Sequence, residues 1–156
     1  MKYIFSILLF FGLSFGFHDK TEKSSMQYIS IGMFDDKIGL SLIGYTSNLN
    51  LDEMNSLFFG GGTSIIFHTI GGGLKHHYFK QNGFSVNSVF SFNRLFLNNQ
   101  HSGTGEINTV STSLSLEYDL SNWIQIKLGY VGVVDGEEDN YELWGFPFLN
   151  LNFRFD

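Results

Sequence analysis

Apolar and polar residues alternate with a period of two along most of the chain. The clearest segment is "INTVSTSLSLEYDL" (107–120), in which an apolar stripe faces a stripe of serines and acidic residues. The segments "WIQIKLGYVGVV" (123–134) and "LWGFPFLNLNFRFD" (143–156) continue the same period. Because successive side chains of a strand point to opposite faces, this period predicts two-faced β-strands.

Five earlier segments complete the pattern and bring the number of predicted strands to eight. The sequence predicts that "DDK" is a turn before the second strand, and that Ile38, Leu40 and Leu42 share one face of that strand. Glycine triplets blur the boundary between the third and fourth strands and indicate a crowded or bent region. The five segments are 26–34, 38–48, 56–68, 71–80 and 84–97.

The connections between the predicted strands differ in length. The turns after the second, fourth and sixth strands are short, whereas those after the fifth and seventh are longer and polar. Outer-membrane barrels combine short periplasmic turns with longer external loops. The pattern therefore predicts an all-β fold, an eight-stranded antiparallel up-and-down transmembrane β-barrel over residues 26–156.

The N-terminal segment "MKYIFSILLFFGLSFG" has the organisation of a secretory signal peptide. Lys2 precedes a short apolar run, and the small residues Ser14 and Gly16 have the spacing that a signal peptidase recognises. We expect residues 1–16 to be removed and residues 17–25 to form a flexible lead-in to the barrel. The run is too short to span a bilayer as a helix.

Composition narrows the class further. The chain has 18 Phe, 18 Gly, one Pro, no Cys and only 15% charged residues, against about 25% in ordinary soluble domains. Without Lys2 it carries 8 basic and 15 acidic residues, a net charge of 8 − 15 = −7. This balance argues against nucleic acid as a partner. A closed barrel crosses a membrane without long apolar runs, because its strands pair all backbone polar groups.

The closing strand "LNLNFRF" carries the most specific resemblance. Its alternating apolar residues end in an aromatic, and the chain resembles the small eight-stranded outer-membrane β-barrel proteins of Gram-negative bacteria. The resemblance implies a location in the cell outer membrane, outer-membrane lipid as a partner, and a strand that the barrel-assembly machinery reads. Asp156 departs from the aromatic-ended pattern. The residues of this assembly-signal strand are Leu149, Leu151, Phe153 and Phe155.

In a membrane barrel the polar stripe faces the lumen and the apolar stripe faces lipid. A three-residue turn places Glu117 opposite Lys127, with Arg154 as a neighbour, so we predict a luminal ion-pair cluster that also includes Asp119. The residues predicted to face lipid are Leu114, Leu116, Ile124, Ile126, Leu128, Leu149, Leu151 and Phe153.

Candidate catalytic and metal-binding residues do not form a recognisable site. Lipid A deacylases of the same architecture place His and Ser two residues apart, whereas His101 and Ser102 are adjacent and would face opposite sides. His76 and His77 are also adjacent, so one ion would not bind both on a regular strand. The acidic loop 135–139 lacks the ligand spacing of a calcium loop. No catalytic residue, metal or cofactor is predicted.

The sequence therefore favours a non-catalytic integral outer-membrane barrel. Envelope integrity, surface adhesion and narrow, porin-like solute passage all remain open as roles, and any external ligand is unknown. Two alternatives remain. The first is a soluble exported, lipocalin-like barrel that binds an apolar ligand, and the second is an enzyme that modifies envelope lipid.

Overall fold

A computed structural model describes residues 25–99, 103–135 and 143–155. The predicted signal peptide therefore lies outside the described residues, as does all of the lead-in except Ser25. The described part of the chain is built from ten strands: β1 (Ser25–Gly32), β2 (Phe34–Asp35), β3 (Gly39–Leu40), β4 (Ile43–Asn50), β5 (Asn55–Thr63), β6 (Phe67–Gln81), β7 (Phe84–Asn99), β8 (Gly103–Asp119), β9 (Ile124–Asp135) and β10 (Leu143–Phe155).

Eight of these strands close into one barrel. Its strand order is β1-β10-β9-β8-β7-β6-β5-β4, and every neighbouring pair is antiparallel. Closure leaves no sheet edge unpaired, because β1 pairs with both β10 and β4. The predicted eight-stranded antiparallel barrel is confirmed. None of the described residues belongs to a helix of the length and apolarity that a membrane crossing needs.

The barrel has two distinct ends. We call the end with the short turns 51–54, 82–83 and 120–123 the turn end, and the opposite end the loop end. The turn at Asn82 and Gly83 has positive φ at both residues, which is the geometry that a two-residue hairpin favours. Two connections of the loop end, 100–102 and 136–142, lie outside the described residues.

The second predicted strand is wrong at its start. Residues 33–42 do not make a simple turn followed by a barrel strand, and Ile38, Leu40 and Leu42 do not share one face of such a strand. They form a segment, which we call the plug, whose short hairpin β2–β3 enters the lumen and buries Asp36 and Ile38 completely or nearly so. The eight strands of the closed barrel form its wall, and the wall strand that follows the plug, β4, begins only at Ile43. Buried partners in the barrel stabilise this conformation, and a local sequence pattern does not reveal them.

The third predicted strand is also too long. β5 ends at Thr63, and β6 begins at Phe67. Residues 64–66 form a turn between these strands, which is closed by a hydrogen bond from the backbone N–H of Ser64 to the carbonyl of Phe67. Ile65 is 91% exposed in the turn, so its apolar character does not mark a strand here.

The pleat of the wall separates two chemically different faces. Polar side chains dominate the buried luminal face, for example Ser113 and Asn150, while large apolar side chains such as Leu114 and Leu149 are exposed on the outer face. In a water-soluble barrel the apolar face would be inside. This barrel is inverted relative to that arrangement.

Candidate functional site

The turn-end half of the lumen contains a cluster of buried charges. Lys75 Nζ lies 2.7 Å from a carboxylate oxygen of Glu117, and Lys127 Nζ lies 3.2 Å from the other. Lys127 Nζ also donates to Asp36 Oδ1 at 2.8 Å. Glu117 and Lys127 are only 2% and 1% exposed. We call Asp36, Lys75, Glu117 and Lys127 the luminal charge cluster.

The register of β8 and β9 places Glu117 opposite Lys127. Arg154 and Asp119 form a separate ion pair of 2.9 Å nearer the turn end, where both side chains are partly exposed. The predicted cluster placed Arg154 together with Glu117, Lys127 and Asp119; in the structure the ion pair of Arg154 is with Asp119. Arg154 follows the inward phase of β10 one layer closer to the turn end, where Asp119 is the acidic side chain within reach.

Two members of the cluster, Asp36 and Lys75, were not predicted. Lys75 lies two residues after the glycine triplet of β6. With the bounds of β6 known, the alternation of side chains would have predicted that Lys75 points into the lumen. Asp36 belongs to the plug, and 91 residues separate it from Lys127 along the chain. Since that contact is purely tertiary, no local pattern could have found it.

Glycines in the wall make room for the plug. A Cβ at Gly44 would collide with Ile38 Cδ1, and a Cβ at Gly62 would lie 2.8 Å from the same atom. Beside Ile38, the Lys37 amine lies 4.3 Å from the centre of the Tyr28 ring and donates to Asn48 Oδ1 at 3.2 Å. Of the three glycines of β5, Gly62 leaves space for the plug, whereas Gly60 is crowded by Tyr45 and Thr46 of β4.

A polar cavity of about 170 Å³ opens below the cluster at the turn end. Asp52 lies at its edge, in the turn between β4 and β5. Burial acts to raise the pKa of Asp52, but hydrogen bonds from the Asn55 amide and from the backbone N–H groups of Met54 and Asn55 outweigh it. Its pKa consequently lies below the usual value, and the carboxylate caps the turn.

An apolar cavity of about 280 Å³ lies in the loop-end half of the lumen, between the plug and the wall from β6 to β10. We call it the rim pocket. Its sides are apolar, its floor is formed partly by Thr69 and Asn93, and Trp144 lies among its lining residues. The apolar side chains that line it include Leu40, Leu95, Ile107, Val133 and Phe146.

The outer face carries all the side chains predicted to face lipid. Leu114, Leu116 and Leu128 are exposed there, as is Leu149. Ile124, Ile126, Leu151 and Phe153 share their outward phase and are half-buried among neighbouring side chains. Trp123 lies in the turn between β8 and β9 and stacks on Phe153.

Three solved structures are similar to this chain in fold. The N-terminal β-barrel domain of Pseudomonas aeruginosa OprF matches with a TM-score of 0.55 and 15% identity, covering 86% of this chain and 100% of that domain. Neisserial surface protein A gives a TM-score of 0.45 and 10% identity over 83% of this chain and 92% of its own. Ail of Yersinia pestis gives 0.42 and 10% over 84% and 95%.

The chain has the fold of an eight-stranded outer-membrane β-barrel. The predicted resemblance to that architecture is thereby confirmed. Neither a protein-family model nor a curated protein matches the sequence.

The histidines of the barrel wall lie at opposite ends. His68 accepts or donates a 2.9 Å hydrogen bond with Thr63 at the loop end, whereas His76 bonds Asn55 at the turn end. The described residues hold no group of three or more His, Cys, Asp or Glu side chains close enough to share a metal ion. His101, Ser102 and most of the acidic loop 135–139 lie outside the described residues.

Proposed function

We propose that this chain is an integral outer-membrane protein with a closed lumen and no catalytic role. In this proposal the barrel anchors its loop end at the membrane surface for envelope integrity or adhesion. The observation that carries the proposal is the inversion of the wall, with leucines such as Leu114 and Leu116 exposed outside and charges buried inside. The OprF-like fold supports it.

The height of the apolar outer face also supports a membrane location. This face extends from Val110 on β8 to Leu120, the first residue of the turn that follows. Ten intervals of about 3.4 Å, tilted by about 40°, rise about 26 Å along the membrane normal. Apolar bands of outer-membrane barrels are about 25 Å tall. Toward the loop end an exposed ion pair between Arg94 and Glu106 follows, as expected where the outer face leaves hydrocarbon.

The closed lumen argues against a wide pore. The plug and the luminal charge cluster fill the barrel between the two cavities, and the lumen of an eight-stranded barrel is only just wide enough for side chains. Narrow solute passage would require the plug to move, which makes it the less favoured role. The outward residues of β10 would be recognised by the barrel-assembly machinery during insertion.

The soluble lipocalin-like alternative fits the wall less well. A soluble barrel that carries an apolar ligand needs an apolar interior and a hydrated exterior. Here Lys75, Glu117 and Lys127 occupy the interior. Their burial carries a desolvation penalty that the apolar interior of a lipocalin-like barrel avoids. For the alternative of an envelope-lipid enzyme, no serine with a histidine base within hydrogen-bond distance has been identified among residues 25–99, 103–135 and 143–155.

Fractionation combined with one pair of variants tests the proposal. The chain, expressed in a Gram-negative host, should be recovered with outer membranes and require detergent for extraction. Leu114→Arg, near the middle of the apolar face, should lower the free energy of unfolding in phosphatidylcholine vesicles by about 2–4 kcal/mol. The control Leu120→Arg, at the turn end, should cost about 0–1 kcal/mol.

A different result would reject the membrane proposal. If the processed chain is a folded monomer in water without detergent or lipid, and Leu114→Arg is then as stable as the unsubstituted chain, the outer face is not a lipid-facing surface.

A further inference from the structure

The floor of the rim pocket holds two polar groups without partners. Thr69 Oγ1 and Asn93 Oδ1 have no hydrogen-bond partner among the described residues, although both side chains are only 2% exposed. Both side chains line the pocket. A buried polar group left unpaired is unfavourable, so the floor has an unmet hydrogen-bonding capacity.

The Asn93 side chain is held in one orientation by its surroundings. Its Nδ2 donates to Ser91 Oγ at 2.9 Å, and Ser91 in turn bonds Ser111 at 2.5 Å. These bonds use the amide nitrogen and leave the carbonyl oxygen as the unpaired group.

Glycine residues flank Asn93 on both sides. A Cβ at Gly71 of β6 would collide with Asn93 Oδ1, and a Cβ at Gly39 of the plug would lie 3.5 Å from Nδ2. Gly39 has φ of +80°, which other residues rarely adopt. Gly71 of the wall and Gly39 of the plug therefore both leave space for the Asn93 amide, and the fold determines the position of this amide in the pocket floor.

The two groups require a particular kind of ligand atom. Asn93 Oδ1 can only accept a hydrogen bond, whereas the Thr69 hydroxyl can donate one. Thr69 pairs with Leu95, and Gly71 pairs with Asn93, so Thr69 and Asn93 are diagonal neighbours on the same face, about 7–8 Å apart in the backbone. One hydroxyl group on a ligand can donate to Asn93 and accept from Thr69.

The remaining lining defines the body of the ligand. Leu95, Ile107, Val133 and Phe146 supply an apolar surface, and none of the described residues that line the pocket is charged. Its volume of about 280 Å³ lies just below the range of about 300–1,000 Å³ that accommodates drug-sized ligands. A small, uncharged molecule fits these limits better than a lipid with a charged headgroup.

We infer that the rim pocket binds a small apolar alcohol, whose hydroxyl group contacts Thr69 and Asn93 and whose hydrocarbon body fills the space between the plug and the wall. This inference adds a ligand to the membrane-anchored barrel proposed above, but it rests on the pocket alone. A chain that folds in micelles without binding an alcohol would reject the inference and leave the proposed function standing.

Trp144 at the pocket provides the measurement. The chain has two tryptophans, and the second, Trp123, lies at the turn end, so Trp123→Phe leaves Trp144 as the sole tryptophan reporter. With this variant folded in detergent micelles, 8-bromo-1-octanol should quench Trp144 fluorescence with a saturable curve. The matched probe 1-bromooctane, which lacks the hydroxyl, should bind about tenfold more weakly.

Two further variants assign the hydroxyl contact. Thr69→Val, added to the reporter variant, should weaken 8-bromo-1-octanol binding about tenfold and leave 1-bromooctane unchanged. Thr46→Val is the control, because Thr46 is an equally buried luminal threonine outside the pocket. It should leave both probes unchanged, and circular dichroism should verify that each variant is folded.

Three results would each overturn the inference. The first is linear, unsaturable quenching, which is partition into the micelle only. The second is equal affinity for the two probes. The third is a loss of binding in Thr46→Val that equals the loss in Thr69→Val, which would show that the effect does not arise in the rim pocket.

Discussion

The two halves of the lumen are lined by different kinds of side chain, charged toward the turn end and apolar toward the loop end. Toward the turn end, Glu117 of β8 lies in the luminal charge cluster and contacts two lysines. Toward the loop end, Ile107 of the same strand and the same inward phase lines the rim pocket. In the turn-end half the buried charges are paired with one another, although a polar cavity of about 170 Å³ opens below them and the Ser115 hydroxyl has no partner among the described residues. The loop-end half keeps an apolar cavity whose lining includes two unpaired polar groups, those of Thr69 and Asn93.

The difference has a simple electrostatic reason. A buried charge must have partners, because an unpaired ion in the interior costs several kcal/mol, so the turn-end half must be packed by side chains and by Asp36 of the plug. A cavity lined by apolar side chains contains no charge that needs a partner, so it can remain empty. The plug separates the halves: Asp36 faces the charges, and Phe34 and Leu40 face the cavity.

The largest expected effect comes from removing a cation from the charge cluster. Lys127→Met leaves Asp36 and Glu117 buried with too little positive charge, and we expect the free energy of unfolding to fall by about 3–5 kcal/mol. Urea titration of the barrel folded in lipid vesicles measures it. A loss below 1 kcal/mol would mean that the turn-end half is not held by its charges.

The next effect concerns the serine that joins β8 to the plug. Ser113 Oγ donates to Asp36 Oδ2 at 3.1 Å, so Ser113→Ala should cost about 1.5–3 kcal/mol, as for hydrogen bonds to charged groups. Ser115→Ala is a matched control, because Ser115 is buried on the same face and its hydroxyl has no partner among the described residues. It should leave stability unchanged or higher, and equal losses in the two variants would contradict the assignment.

A smaller effect tests how the plug is seated. Ile38 is fully buried against Gly44 and Gly62, so Ile38→Val should cost about 0.5–1.5 kcal/mol through the lost methylene and the small cavity left behind. Ile65→Val, in an exposed turn, serves as the control and should change stability by less than about 0.5 kcal/mol. If both variants are equally stable, the plug does not pack as described.

The smallest effect sharpens the contrast between interior and exterior charges. Arg94 and Glu106 form an ion pair on the outer face and are 47% and 43% exposed. Because such pairs are weak in water, Arg94→Gln should cost only about 0.2–1 kcal/mol. This loss should decrease further at 1 M salt, whereas the loss in Lys127→Met should respond little to salt. Salt-independent destabilisation by Arg94→Gln would place this pair in the hydrocarbon region.

Much of the wall could be predicted from alternation alone. The period of two gave the phase of Leu114 and Ser115, and the short turn at residues 120–123 gave the register of Glu117 against Lys127. Where glycines replace side chains, in 60–62 and 71–73, the alternation disappears. Apolar residues of the turn between the two triplets, such as Ile65, were then assigned to the third strand, and the end of β5 was misplaced for that reason.

The candidate sites were less predictable. Asp35, Asp36 and Lys37 form a polar stretch that resembles a surface turn, yet all three are buried in the lumen. Their partners come from distant strands, so burial could not be read from their neighbours in the sequence. The rim pocket was missed for the same reason, since it exists only where the plug approaches the wall.

The sequence by itself determined which side chains share a face, because a strand's side-chain period is fixed by backbone geometry, and it thereby determined an inverted barrel of eight strands. The tertiary structure decided how the interior is used, with residues 33–42 folded inward and Arg154 paired with Asp119. These outcomes depend on contacts between residues far apart in the chain, whose energies appear only when the barrel closes and charges such as Asp36 and Lys127 must find one another.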